Sequence, residues 1–307
     1  QLLKLMSTIK PCVVAMEACA SAHYWGRKIT ELGHDVKLIP PIYVKPFVKR
    51  QKNDAVDAEA IVEAASRPTM RFVAIKSADQ QAAGMAFKTR DLFVRQKTQL
   101  INALRGHLAE HGVVAPQGVV HLKRLKTALF DDTNGLPTAV VLHAELILDQ
   151  ISVLQSRIEA LEKDILAVSR EDALAVRLMT VPGVGPITAA ALLAFAPDPA
   201  TFQRGRDFSA WMGLTPKQYS SGGKERLGRT SKMGQRDLRR LLITGAMAVV
   251  RWATRKGAPE GSWLARMLDR KPTMLIAVAL ANRMGRIIWA LMAHGGIYNS
   301  HREKAAA

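Results

Sequence analysis

Two groups of residues in this 307-residue sequence have the types and spacing to do chemistry. The first is acidic. Asp54 and Asp57 stand three apart at the head of the segment "NDAVDAEAIVEAA", so on a helix they share a face. Glu17 ends the apolar run "CVVAME". If that run is a strand of a parallel sheet, Glu17 lies at its C-terminal end, where α/β folds build their sites. Three carboxylates so placed could hold one or two Mg²⁺ ions, with Mn²⁺ as a substitute, against phosphate oxygens. Acidic residues also suit a helix N-terminus because its free N–H groups and dipole attract negative charge. By chemistry alone these two readings weigh about equally.

The second group is basic. The segment "GLTPKQYSSGGKERLGRTSKMGQRDLRRLL" holds eight basic and two acidic residues between Lys217 and Arg240: the cations are Lys217, Lys224, Arg226, Arg229, Lys232, Arg236, Arg239 and Arg240. At its centre "SSGG" is turn chemistry. A glycine-flanked serine among cations could attack a phosphodiester, provided a base, a metal or a concentrated positive field activates it. Composition alone favours a solvated loop whose serines satisfy turn hydrogen bonds. Upstream, "VPGVGPITAAALLA" resembles a helix-hairpin-helix. Gly183 and Gly185 would let a backbone approach phosphates and expose a helix N-terminus to them. A tight interhelical turn that needs glycine for its dihedrals is the plainer account.

These residues need elements to hold them. The run 12–17 reads as a buried strand, 21–33 as a helix stopped by Gly33, and "HDVKLIPP" as a second strand closed by prolines. That order predicts two parallel strands joined by a right-handed crossover, followed by a helix over 54–65. Further on, Phe87, Val94, Ile101 and Leu108 recur every seven residues. Val140, Ala144, Ile147, Ile151, Leu154, Ile158, Leu161, Ile165 and Val168 then alternate spacings of four and three. This seam predicts a coiled coil, within the chain or between subunits. The region from about 171 reads as helices and loops. Cys12 and Cys19 make no C-x-x-C pair and read as reduced core thiols in a cytoplasm.

Charge narrows the function. The net charge is +18, and residues 200–307 alone carry 20 Lys and Arg against 6 Asp and Glu. A polyanion, most commonly nucleic acid, is the expected partner of such a surface. The longest strongly apolar run, "TMLIAVALA", is too short to span a bilayer, so no membrane role is expected. No signal peptide is visible, though the sequence opens on Gln1 rather than Met and a leader could precede it.

In order, the blocks "VVAMEACASAHYWGRKITELGHDVKLIPPIYVKPFV", "KNDAVDAEAI", "VPGVGPITAAALLA" and "FSAWMGLTPKQYSSGGKERLGRTSKMGQRDLRRLL" resemble the insertion-sequence transposases of the one-hundred-ten family. The long helical middle resembles its eleven-eleven subgroup, and the site-specific DNA invertase Piv is a relative of the family. The resemblance implies an α/β RuvC-like, ribonuclease H-type domain over residues 1–76 with acidic D-E-D-D metal ligands. A helical coiled-coil region over 77–170 would follow, then a mostly α-helical transposase domain over 171–307 bearing a nucleophilic serine. Carried over by motif, the second acidic ligand is Glu17, the third and fourth are Asp54 and Asp57, and the serine is Ser221, not Ser220 or Ser231. No Asp or Glu precedes Glu17, so the first acidic ligand and the opening strands are expected upstream of Gln1. The family further implies a bridge RNA that pairs with donor and target DNA, a homo-oligomer (dimer or tetramer) with shared active sites, and a cytoplasmic bacterial setting. Two rival readings share parts of the pattern: a RuvC-like junction nuclease that uses water, and an architectural nucleic-acid protein that does not cut.

Overall fold

The structure is a computed structural model and describes residues 1–49 and 53–299. Of the basic run before Asp54, Arg50 and Lys52 lie outside the described residues. The chain divides into two compact units, one of residues Gln1–Ala83 and one from Gly84 onward. The helical middle from residue 84 and the region from 171 both fall in the second unit.

In the first unit, helix α1 (Leu2–Thr8) precedes strand β1 (Val13–Glu17), α2 (Ala22–Glu31), β2 (Asp35–Ile39), the short α3 (Pro41–Val44) and α4 (Asp54–Ala65). β1 and β2 pair in parallel, from Val13 opposite Asp35 to Glu17 opposite Ile39. Gly33, with φ of 90°, makes the turn out of α2 that a residue with a Cβ would resist. Leu38 adds an antiparallel bridge to Val73, so a third segment borders β2. α4 lays Ala60 and Ala64 on Ile39 and Val44, and the small side chains bring helix and sheet close. The exit from this unit is clasped to α2. The Lys76 N–H donates to His23 Nδ1 at 3.3 Å, and Arg27 Nη1 donates to the Lys76 carbonyl at 2.7 Å. Cys12 and Cys19 correct the expectation of core thiols: both are exposed, because they flank β1 where its ends leave the core.

The second unit begins in the long helix α5 (Ala78–Ala109) and continues through α6 (Leu122–Leu129), α7 (Thr138–Glu171), α8 (Ala173–Leu178), α9 (Pro186–Phe195) and α10 (Gly205–Trp211). α5 and α7 run antiparallel. Arg90 pairs with Glu162, and Lys97 Nζ donates to Gln155 Oε1 at 2.6 Å. Further along, Ile101, Leu104 and Leu108 pack in one cluster with Ala144, Leu148 and Ile151. Ile101 and Leu108 of the seven-residue repeat thus meet Ala144 and Ile151 of the second helix within one chain, whereas Phe87 packs against Phe195 of α9. The register drifts at the far end: Ser169 is buried and Val168 is exposed. A straight helix with 3.6 residues per turn slips about 20° per heptad against a 3.5 repeat, and α7 also packs against α9.

The remaining elements are strands β3 (Pro216–Gln218) and β4 (Leu227–Thr230) and helices α11 (Arg236–Lys256), α12 (Trp263–Leu268) and α13 (Thr273–His294). Leu238, Leu242, Ala246 and Val250 of α11 meet Ile276, Ala277, Ala281, Met284 and Ile288 of α13 in the largest core. Among the described residues, two helices, α7 and α13, are long and apolar enough to cross a membrane by length and composition alone. α13 carries Arg283 and Arg286 and turns Ile276, Ala281 and Ile288 into the core, the pattern of a core helix.

Candidate nucleic-acid and catalytic site

The basic segment is not an irregular loop. β3 and β4 form an antiparallel hairpin, and Ser221 bridges to Lys224 across its tip, where the Lys224 N–H donates to the Ser221 carbonyl at 3.1 Å. Gly222 and Gly223 have φ of 57° and 76°, the two positive values of a primed hairpin turn. "SGGK" is therefore a turn that residues with a Cβ would strain. Below the tip, the Tyr219 ring lies over Gly228, and a Cβ at that glycine would overlap it.

The two serines of "SSGG" differ. Ser220 Oγ accepts the Arg226 N–H at 3.2 Å. The Ser221 hydroxyl has no hydrogen bond among the described residues, and Ser221 is exposed. Ser231 lies past β4, its N–H donating to the Thr215 carbonyl at 2.9 Å.

The eight cations also separate. Among the described residues, Lys217, Lys224, Arg226, Arg229, Lys232 and Arg236 have no carboxylate partner, so six positive charges surround the hairpin unneutralised. Arg240 pairs with Asp91 of α5, and next to it Lys88 Nζ meets Asp237 Oδ2 at 2.5 Å. Arg239 turns inward. Its Nη1 donates to the Met212 carbonyl at 2.9 Å and to the Met233 carbonyl at 3.1 Å. Burial, and then the Arg236 charge, lowers the Arg239 pKa from its ordinary value. The two carbonyls belong to a backbone crossing in which Gly213 (φ 72°) faces Met233 and Gly234 (φ 83°) faces Trp211, and a Cβ at either would overlap the facing carbonyl oxygen. Lys232, the residue before this crossing, sits in the left-handed region with φ of 55°. Arg239 thus anchors the base of the hairpin. The sequence signal for it was the pair of glycines in "MGL" and "MGQ", which mark the crossing that the guanidinium clamps.

Gly183 and Gly185 lie in the turn between α8 and α9. Gly183 has φ of 87°, and a Cβ there would come within 2.9 Å of the Gly245 carbonyl oxygen of α11. Turn geometry and helix packing account for Gly183. Gly185 is the N-cap of α9 with open space where a Cβ would stand.

Asp54 and Asp57 fall in the first turn of α4 as expected, yet capping is not their work. Asn53 Oδ1 accepts the Val56 N–H at 2.9 Å and makes the cap. Glu17 is half-buried at the end of β1, on which α4 packs. None of the three carboxylates has a hydrogen-bond or ion-pair partner among the described residues, so capping and ion pairing leave all three uncommitted. They do not amount to a metal cage: among the described residues, no group of three or more His, Cys, Asp or Glu side chains is gathered closely enough to hold an ion. The donor set present is thus incomplete for a resident metal.

Two family models match this chain, one over the segment that carries the carboxylates and one over the segment that carries the hairpin. Residues 1–112 match the transposase family model DEDD_Tnp_IS110, a domain type that suggests divalent metal use, and residues 175–259 match the family described as Transposase IS116/IS110/IS902. The chain is 47% identical over 292 residues to a probable family 20 transposase of Pseudomonas aeruginosa, covering 94% of this chain and 86% of that protein. It is 39% identical over 299 residues to the transposase for insertion sequence element IS1328 of Yersinia enterocolitica, covering 97% and 89%. With the transposase for IS1111A of Coxiella burnetii it shares 37% identity over 299 residues, covering 97% and 82%. The chain belongs to the IS110/IS116 family of insertion-sequence transposases, enzymes that cleave and rejoin DNA.

Proposed function

We propose that this transposase exchanges DNA strands through a covalent link between Ser221 and DNA. One observation carries the reading: Ser221 stands at the tip of a two-glycine turn with a hydroxyl that no described residue engages, in a segment whose six cations have no described carboxylate partner. In the step itself, Ser221 Oγ bonds to the scissile phosphorus while the bond from phosphorus to one DNA oxygen breaks. The serine proton passes to solvent water, and the departing DNA oxygen takes a proton from solvent to become a hydroxyl, so the step is proton-neutral. A hydroxyl of the partner strand then attacks the phosphoserine and releases Ser221, so one phosphodiester replaces another without net hydrolysis. Lys217, Lys224, Arg226, Arg229 and Lys232 stabilise the charge that builds on the phosphate oxygens. Arg236 extends the same surface, Arg240 remains half-exposed beside Asp91, and Gly183 and Gly185 offer backbone to phosphates at the hairpin of α8 and α9.

Glu17, Asp54 and Asp57 are the residues that would hold a divalent metal, which would supply positive charge at the phosphate, although the described side chains are not gathered into such a site. A guide RNA encoded by the element selects donor and target DNA, and the protein works as a homo-oligomer in the bacterial cytoplasm. The test is a denaturing gel of full-length protein incubated with end-labelled donor DNA and Mg²⁺. A labelled adduct that survives denaturation and disappears in Ser221→Ala supports the reading. Cleavage with no adduct, unaffected by Ser221→Ala, would replace it with hydrolysis by water, the junction-nuclease reading.

A further inference from the structure

A cavity of about 1100 Å³ opens in the second unit, walled by the α8–α9 turn at Gly183, the C-terminal half of α11, the start of α12 and the middle of α13. Its lining combines aromatic faces with planar cations. Trp252 projects from α11 and is 62% exposed, an unusual position for an indole that has no ring contact with any described residue. Trp263 opens α12, and the Arg283 guanidinium carbon of α13 lies 5.4 Å from its ring centroid. Arg266 stands one helical turn beyond Trp263 and is exposed. Glu260 is the one carboxylate among the lining residues. On the same helices and the α12–α13 connection, Arg251, Arg255, Lys256, Arg270 and Lys271 are exposed and have no ion pair among the described residues.

We infer that this cavity takes an unpaired nucleotide of the nucleic acid that the protein handles. The chemistry fits on three counts. Indole faces and guanidinium planes are surfaces on which unstacked bases lie, and every base offers a π-face, so such a pocket tolerates sequence. Arg266 and Arg283 in the lining, with the exposed cations of the same elements, suit the phosphates on either side of a splayed base. The volume exceeds the roughly 300–1,000 Å³ of small-molecule pockets, leaving room for a nucleotide with part of its neighbour. A base held here needs to be out of the duplex, as at a strand end, a loop or a strand junction. The proposal deepens the transposase reading in that it assumes a nucleic-acid partner, but it does not depend on Ser221 chemistry.

The test uses the full chain and three 12-nucleotide probes of one sequence: single-stranded DNA, single-stranded RNA and the DNA duplex. Anisotropy at one fixed salt concentration gives each affinity. Trp252→Ala is expected to weaken single-strand binding about tenfold, in the range of a lost stacking platform, and to leave duplex binding within twofold. Trp252→Phe should restore most of the loss. Because Trp252 is exposed, its replacement leaves the core intact, and a thermal melt checks this. A loss confined to RNA, or to DNA, supports the pocket and names its strand. Unchanged single-strand affinity in both Trp252→Ala and Arg283→Met overturns it, as does an equal loss on duplex. If wild-type protein binds none of the probes, the nucleic-acid reading fails together with the pocket. If wild type binds and the variants bind equally, the pocket alone fails.

Discussion

The Ser220 hydroxyl accepts the Arg226 N–H, whereas the adjacent Ser221 hydroxyl has no described partner. Ser220→Ala removes one exposed hydrogen bond, worth about 0.5–1.5 kcal/mol, and strand exchange should stay within a few-fold of wild type. Ser221→Ala removes no such bond and no charge. Folding and DNA affinity should be unchanged, while the adduct vanishes and exchange falls by about three orders of magnitude or more, the scale of losing a nucleophile. A recombination assay with both variants checks the contrast. At His23 the controlling quantity is a proton. Burial, and then the Lys76 and Arg27 charges, lowers its pKa from the ordinary 6.5. The unfolded chain therefore binds more protons than the folded one below pH 6.5, and stability rises with pH across that window. Melting temperature should fall as pH drops from 7 to 5.5. In His23→Asn, whose side-chain oxygen can still accept the Lys76 N–H, that slope should flatten. An equal slope in both proteins would remove His23 from the account.

At the level of elements, the base of the serine hairpin is the most constrained feature. Gly234 combines φ of 83° with a facing carbonyl where a Cβ would sit. Gly234→Ala should cost at least about 1–3 kcal/mol from the dihedral alone, and chemical denaturation against wild type measures it. None of this hairpin was legible as strands. "PKQ" and "LGRT" carry one large apolar residue between them, so no period-2 pattern exists to read, and pairing rests on the "SGGK" turn and on Tyr219 covering Gly228. The β1–α2–β2 unit was legible because its strands are apolar runs and its helix ends at a left-handed glycine. The α7 seam was legible too, but the sequence could not say what filled it. Ile151 is 4% exposed and packs with α5 residues of the same chain. Ile151→Asp buries a charge with no partner, so several kcal/mol of stability should be lost. Circular dichroism melts should report this, and any fall in assembly size by light scattering should track unfolding. A variant that melts like wild type while its mass drops would assign the seam to a subunit contact instead.

Across the whole molecule, charge and chemistry are divided. Residues from 200 onward supply +14 of the +18 net charge, and with them the serine. The carboxylates Glu17, Asp54 and Asp57 belong to the other compact unit. Their placement on the first turn of α4 and at the end of β1 was readable from spacing, since i, i+3 on a helix and the end of a strand are local patterns, whereas a ligand role came only with the family resemblance. Which of the eight cations are free was not readable, because Arg239 and Arg240 find partners at Met212 and Asp91, far off in sequence. A division of carboxylates and serine between two units permits one subunit's serine to act with another's carboxylates. Mixing two inactive proteins tests that arrangement. Ser221→Ala keeps the carboxylates, and Asp54→Asn keeps the serine while removing one charge from an exposed position and no backbone cap, since Asn53 makes the cap. Each alone should bind DNA as wild type does, because Lys and Arg carry binding, and each should be inactive. If sites are shared between subunits, assemblies formed from an equal mixture contain some sites with both intact partners and recover a measurable fraction of wild-type exchange. The gel then shows an adduct only on the Asp54→Asn chains, identifiable by a size tag. Exchange of subunits confirmed by that tag, with activity still absent, would place each complete site within a single chain.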